Sequence, residues 1–182
     1  MKDAFPGEQP NTSPSRVLVV GVGNRLLGDE GVGPRIVDSL SRMTLPSYVD
    51  VVDCGCDLLS IVLYLNRPKK IIVVDVIRAG GRPGRIYRLD CGRLTATKPN
   101  MRSAHQVGTA DVLHLLKLAC PALVITEIIV IGVEPRTMES TTDLSKEVKK
   151  SIPELMRIVF EEISAPSHPR QGETWEQVRA FA

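Results

Sequence analysis

Three side chains combine metal-binding residue types with positions at the ends of predicted elements. They are Glu30, Asp75 and His105. Two carboxylates and one imidazole suit a borderline divalent metal ion that keeps open coordination positions for a substrate. His105 lies at the predicted start of a helix, where the helix dipole disfavours the imidazolium form and leaves a neutral nitrogen for a metal. If one crevice gathers the three residues, the sequence predicts metal-assisted chemistry there.

Each of these residues also has a simpler interpretation. Glu30 and the adjacent Asp29 could complement the dipole of the helix that follows them, which fits the sequence equally well. Asp75 could be a turn-forming residue at the end of a strand, and His105 could be an ordinary polar residue at a helix start. From the residues alone, a metal site and three structural roles both remain open.

The residues around Glu30 predict a strand, a glycine-rich loop and a helix. Residues 17–20 form an apolar run that is typical of a strand buried on both faces of a parallel sheet. Beyond the loop, apolar residues recur at helical spacing: Val32, Ile36, Val37, Leu40 and Met43. Open sheets of this kind bind ligands at the carboxyl ends of their strands, so the loop with Glu30 lies where a site is expected.

The same loop argues against a nucleotide site. Gly21 and Gly23 match the start of a dinucleotide-binding fingerprint, but Leu26 occupies the place of its third glycine. Asp29 and Glu30 would repel a phosphate from the following helix, and no Gly-Lys-Ser/Thr follows for a P-loop. The loop therefore favours a cation over an anion.

The remaining pattern predicts an α/β domain. Further strands are expected at residues 48–53, 71–75, 85–89 and 124–133, the third of them antiparallel or at an edge. Helices are expected at 58–65, from Ser103 onwards, and at 144–163 with Ser145 as the cap. We predict a three-layer α/β/α fold over residues 16–164, with a mainly parallel, twisted sheet of about five strands and helices on both faces. Residues 1–15 and 165–182 are predicted to be a flexible N-terminal arm and a flexible C-terminal tail.

Composition excludes several classes of protein. The 182 residues are 43% hydrophobic and 24% charged with a net charge of +2, which is ordinary for a soluble globular protein. No apolar run is long enough to span a membrane, and the N-terminus lacks a secretory apolar core. The 4 cysteines do not form a disulfide-scaffold pattern. We expect a cytoplasmic monomer with no membrane or nucleic-acid partner.

Two other features have open interpretations. Cys54 and Cys56 flank Gly55 and could bind a soft metal, but ordinary small residues at a strand end are the commoner meaning. Residues 67–102 are rich in arginine and lysine, typical of a solvated face. The sharper hypothesis is that Arg85 and Arg88 belong to a surface that docks an acidic patch on a partner.

Three segments together resemble a known family. Residues 21–33, 72–75 and 103–111 are similar, in order and spacing, to the motifs of the [NiFe]-hydrogenase maturation endopeptidases. By this resemblance, Glu30, Asp75 and His105 correspond to the nickel-binding residues of that family. Cys56 departs from the pattern, because a small polar residue usually follows the glycine in its place.

The resemblance implies a specific activity. It implies an aspartic-type or metal-dependent endopeptidase that removes the C-terminal extension of a [NiFe]-hydrogenase large-subunit precursor after nickel insertion. The nickel would be carried by the precursor, with ions such as cadmium able to replace it in crystals, and Asp75 would be the first candidate for a general base. The alternative is a non-proteolytic nickel-sensing or chaperone protein that binds the precursor without cutting it.

Overall fold

The computed structural model describes residues 16–64, 68–90 and 126–167, the single residues 113, 116, 120 and 123, and the backbone of residues 179–181. Within these residues, six strands form one sheet: β1 (Val17–Gly21), β2 (Val49–Asp53), β3 (Lys70–Val76), β4 (Ile86–Asp90), β5 (Glu127–Val133) and β6 (Arg179–Phe181). The long helices are α1 (Val32–Ser41) and α2 (Lys146–Ser164), and 3-10 helices span Gly28–Gly31 and Leu58–Tyr64.

The sheet has the strand order β2-β1-β3-β5-β4-β6. The first four strands in this order are parallel, whereas β4 runs antiparallel to β5 and to β6. The prediction of a mainly parallel sheet is confirmed, and the strand expected at 85–89 is antiparallel. It is not at the edge of the sheet, because β6 lies beyond it.

Residues 179–181 differ from the predicted flexible tail. Their backbone pairs with β4, with Phe181 opposite Ile86 and Arg179 opposite Arg88. A strand of three residues is too short to show a period-two pattern, and its partner lies about ninety positions earlier in the chain. This part of the predicted tail therefore belongs to the sheet.

Apolar side chains cover both faces of the sheet, which confirms the three layers. The inward residues of α1 and α2 pack on one face, against Val19, Val74 and Ile131. The other face packs against the 3-10 helix Leu58–Tyr64 and against Leu113 and Leu116, two residues in helical conformation. In the described part of the chain, no helix has both the length and the apolar composition needed to cross a membrane.

Helix α1 begins in direct contact with the sheet. A side chain at Gly33 would overlap the carbonyl oxygens of Val22 and Val74, and a Cβ atom at Gly21 would lie 2.5 Å from the carbonyl oxygen of Gly33. Gly33 thus provides the close helix–strand packing that the dinucleotide fingerprint assigns to its third glycine. Leu26, at that place in the sequence, is 63% exposed.

Candidate functional site

The site lies above the carboxyl ends of β1 and β3. The chain leaves β1 through α1 towards β2 on one side, while β3 pairs with β1 on the other side. Where the chain segments that follow two neighbouring parallel strands, here β1 and β3, lead away to opposite sides, a crevice opens between them at the carboxyl ends of the strands. The Val22 N–H donates a 2.9 Å hydrogen bond to the Val74 carbonyl, so the two strands stay paired up to this edge.

Glu30 is placed at this edge by close backbone packing. Gly23 adopts a φ of 135°, and a side chain at this position would overlap the carbonyl oxygen of Glu30. The Glu30 N–H donates to the Leu27 carbonyl at 3.1 Å, inside the turn that leads to the 3-10 helix Gly28–Gly31. This helix also contacts β3. Because only glycine leaves room at position 23, Glu30 lies directly against the end of β1.

Asp75 reaches the same edge from β3. It is 9% exposed, and its Oδ1 accepts a 2.7 Å hydrogen bond from the Val76 N–H. Gly33, three residues after Glu30 and in the first turn of α1, packs against the carbonyl of Val74, the residue before Asp75. The structure therefore brings Glu30 and Asp75 to neighbouring positions on one sheet edge. His105 lies outside the described residues, and the described residues contain no group of three His, Cys, Asp or Glu side chains that could hold a metal ion.

Asp29 has a different environment from its neighbour Glu30. Its side chain is fully buried, and its Oδ2 accepts hydrogen bonds from the N–H groups of Arg136 at 2.8 Å and Thr137 at 3.1 Å. Its Oδ1 accepts a 2.7 Å bond from the Ser145 N–H. The carboxylate thus binds the segment that precedes α2, not the N-terminus of α1. Ser145 also caps α2, as predicted, by accepting a 3.3 Å bond from Val148.

Arg25 fastens the outer side of the loop. Its guanidinium donates to Asp38 of α1 at 2.5 Å and to Asp53 at the end of β2 at 2.7 Å. The hydrogen bond with Asp38 raises the pKa of Arg25 above its ordinary value, and the same bond lowers the pKa of Asp38. The loop is therefore bound to α1 and β2 as well as to β3.

Glu134 fixes the loop that follows Asp75. It is 6% exposed and accepts hydrogen bonds from the N–H groups of residues 79, 80 and 81 at 3.0–3.2 Å and from the Tyr87 hydroxyl at 2.6 Å. Burial alone would raise the pKa of Glu134, but these bonds outweigh it and leave the pKa below the ordinary 4.5. Sequence reasoning missed this residue, whose signal is a carboxylate directly after the buried strand β5.

The two cysteines at the end of β2 have unlike environments. Cys54 is buried, and burial raises the pKa of its thiol, whereas Cys56 is exposed. A buried thiol with a raised pKa is a poor source of the thiolate that soft metals require. This favours the interpretation of Cys54 and Cys56 as ordinary small residues.

Comparisons with known proteins point to one family. The family model of the hydrogenase maturation proteases (HycI) matches residues 34–162. A putative hydrogenase maturation protease of Methanocaldococcus jannaschii is 36% identical over 152 residues, which cover 81% of this chain and 96% of the relative. Hydrogenase 2 maturation protease of Escherichia coli is 36% identical over 141 residues, covering 75% of this chain and 84% of the relative.

A solved structure agrees with the sequence relatives. The hydrogenase maturating endopeptidase HybD from E. coli superposes with a TM-score of 0.68 at 30% identity, covering 81% of this chain and 91% of that one. The family-model match spans β2 to β5, most of α1 and most of α2. The chain therefore belongs to the hydrogenase maturation protease family.

Proposed function

We propose that this chain is a nickel-dependent endopeptidase that removes the C-terminal extension of a [NiFe]-hydrogenase large-subunit precursor after nickel insertion. The observation that carries the proposal is the placement of Glu30 and Asp75 at neighbouring positions on the carboxyl edge of β1 and β3. Family membership supports the protease activity, and the name of the E. coli relative supports a hydrogenase as the substrate.

The donor set suits a nickel ion that the precursor brings with it. The carboxylates of Glu30 and Asp75, with the imidazole of His105, would supply oxygen and nitrogen ligands of the kind that borderline divalent ions accept. Nickel bound there would polarise the scissile carbonyl or lower the pKa of a nearby water. Because the substrate supplies the metal, a precursor without nickel would not be recognised.

Asp75 is also our candidate for the general base. Its carboxylate would accept a proton from the attacking water as the water oxygen bonds to the carbonyl carbon. The proton would then pass to the amine of the departing segment as the C–N bond breaks. The Val76 N–H bond to Oδ1 orients this carboxylate at the edge.

The test is cleavage of the purified precursor, with and without nickel, followed by intact mass spectrometry. The wild-type chain should shorten only the nickel-loaded precursor. Glu30→Gln, Asp75→Asn and His105→Ala should each slow cleavage of the nickel-loaded precursor by about 100-fold or more. Glu161→Gln, a change at an exposed carboxylate in the end of α2 that lies by Lys70 at the start of β3, is the matched control and should cleave normally.

Two results would contradict the proposal. Equal cleavage of precursor with and without nickel would exclude the metal dependence. Tight binding of the precursor without any change in its mass would favour the non-proteolytic sensor or chaperone.

A further inference from the structure

A surface groove of about 410 Å³ lies between the turn before β4 and the first half of α2. Its walls include Arg82, Arg85, Ile86, Glu147, Lys150 and Glu154. The turn approaches the helix closely at Gly84, which has a φ of 83° and whose Cβ, if present, would lie 2.8 Å from the carbonyl oxygen of Glu147. The turn and the helix are therefore in close backbone contact beside the groove.

The groove has an excess of positive charge. Its two carboxylates already have partners on the rim, since Glu147 pairs with Arg136 at 2.8 Å and Glu154 pairs with Arg157 at 2.6 Å. Its three cations are exposed, and none pairs with a carboxylate of the described residues: Arg82, Arg85 and Lys150. An anionic ligand would gain attraction from three charges without breaking an existing ion pair.

The groove adjoins the edge that presents Glu30 and Asp75. Ile86 in its wall pairs with Val133 of β5, which pairs with Val76, the residue after Asp75. Two strand spacings separate Ile86 from Val76, about 10 Å, which an extended peptide crosses in about three residues.

We propose that this groove binds an acidic segment of the protein substrate, a few residues away from the bond that is cut. The identity of that substrate rests on the function proposed above, whereas the charge preference rests on the groove alone. A volume in the range of ligand pockets, with cations on the turn and on the helix, fits several carboxylates along a peptide better than one small anion.

This proposal replaces the docking hypothesis drawn from the basic segment. Arg88 is mostly buried and pairs with Glu162 at 2.5 Å, so it is engaged inside the fold. Arg85 remains available, and Lys150 joins it from α2, outside the basic segment. Reversing Arg88 would break the internal pair and would not report on docking.

The test compares two double charge reversals of equal size. Arg82→Glu with Lys150→Glu changes the groove, whereas Arg42→Glu with Lys149→Glu changes exposed cations that do not line it. Lys149 and Lys150 are adjacent in α2, so the second variant is a matched control. The probe is a fluorescein-labelled hexaglutamate peptide, followed by anisotropy at low and moderate salt without nickel.

The groove variant should bind hexaglutamate at least about tenfold more weakly than the wild type, and the control should stay within about twofold. Added salt should weaken the binding of hexaglutamate to the wild type, and the affinity of the groove variant should depend less on salt. Equal binding by the two variants, or equal binding of a hexaglutamine peptide by the wild type, would overturn the proposal.

Cleavage of the nickel-loaded precursor provides an independent readout. The groove variant should raise KM about tenfold and keep kcat within about twofold, because the change removes binding and not chemistry. An unchanged KM would contradict a substrate role for the groove. If no chain cleaves the precursor, the proposed function fails, while the peptide assay still decides the charge preference.

Discussion

The carboxylate of Asp29 accepts a 2.7 Å hydrogen bond from the backbone N–H of Ser145, the residue that caps α2. Two further backbone N–H groups, from Arg136 and Thr137, bind its other oxygen. One fully buried carboxylate thereby joins the loop after β1 to the segment between β5 and α2. The two adjacent acidic residues therefore differ: the Asp29 carboxylate is used within the fold, whereas Glu30 is the residue proposed for the chemistry.

Replacing Asp29 with asparagine should destabilise the fold. The amide NH₂ group would face a backbone N–H where the carboxylate accepts, leaving a buried donor unsatisfied at a cost of about 1–3 kcal/mol. Urea unfolding measures the loss. Asp143→Asn, at a side chain that is 80% exposed, should stay within about 0.5 kcal/mol of the wild type. A wild-type unfolding curve for Asp29→Asn would refute this structural role.

Gly23→Ala should impair processing beyond its effect on stability. The new methyl group would overlap the Glu30 carbonyl and displace Glu30 from the end of β1. A shift of about 1 Å in a positioned group can reduce rate about 100-fold. Gly80→Ala is the matched control, because Gly80 also has a positive φ, of 77°, but no atom within 4 Å of an added Cβ.

Both glycine variants place a side chain on a positive-φ backbone, which should lower the unfolding free energy by about 1–2 kcal/mol. Gly23→Ala should lose more than this, because its methyl group also overlaps the backbone carbonyl of Glu30, whereas that of Gly80→Ala meets no atom. Only Gly23→Ala should lose cleavage rate in the folded protein. Equal rates for the two variants would show that the Gly23–Glu30 contact is irrelevant to activity.

The Glu134–Tyr87 hydrogen bond should make stability depend on pH at both extremes. The lowered pKa of Glu134 means that its contribution is present above pH 4.5 and is lost as pH falls further. Burial, with the adjacent Glu134 carboxylate, raises the pKa of Tyr87 above 10, so its contribution is present below pH 10 and is lost as pH rises.

Unfolding at a series of pH values tests this assignment. The stability difference between wild type and Glu134→Gln should shrink below pH 4.5, and that between wild type and Tyr87→Phe should shrink above pH 10. Glu139→Gln controls for an exposed carboxylate. A pH-independent difference for Glu134→Gln would place the carboxylate in its neutral form and contradict the assignment.

Lys70→Met should be strongly destabilising. Lys70 is fully buried, and its Nζ donates to the carbonyls of Glu162 and Ala165 at 3.0 Å each, with the Glu127 carboxylate at 3.6 Å. Methionine would remove the donor from two backbone carbonyls and the cation from beside the Glu127 carboxylate, at a cost of about 3–5 kcal/mol. The exposed neighbour Lys69 offers the control Lys69→Met.

The two lysine variants should differ in midpoint of thermal unfolding and not in cleavage rate below it. Lys70 lies at the amino end of β3, whereas Glu30 and Asp75 lie at the carboxyl ends of the strands. A similar midpoint for both variants would contradict the role assigned to Lys70.

The strands that carry the site could be predicted because buried parallel strands leave continuous apolar runs. β1, β3 and β5 show such runs, and the rule that parallel strands end at one edge suffices to place Glu30 beside Asp75. The contacts of Asp29 could not be predicted, because its partners lie more than a hundred residues away and are backbone groups. The need for glycine at position 33 could not be predicted either, because it depends on the close approach of the Val74 carbonyl, a contact between segments distant in sequence.

Charge composition was the least informative signal. A run of arginines at 67–102 does not reveal that Arg88 pairs with Glu162 while Arg82 remains exposed. That distinction depends on where α2 crosses β4, which is a tertiary property. The same limit explains why Lys150, far away in sequence, was not associated with the basic segment.

The two borders of the sheet differ in the features that would prevent another molecule's strand from pairing there. On β2, Asp50 and Asp53 form ion pairs with Arg16 and Arg25, so another molecule's strand would meet charge at that border. On the other side, residues 179–181 cover the backbone of Ile86–Arg88 and leave only a short outermost strand. A C-terminal truncation that removes these three residues would bare the hydrogen-bonding groups of β4 and turn a closed border into a template for fibrous self-association.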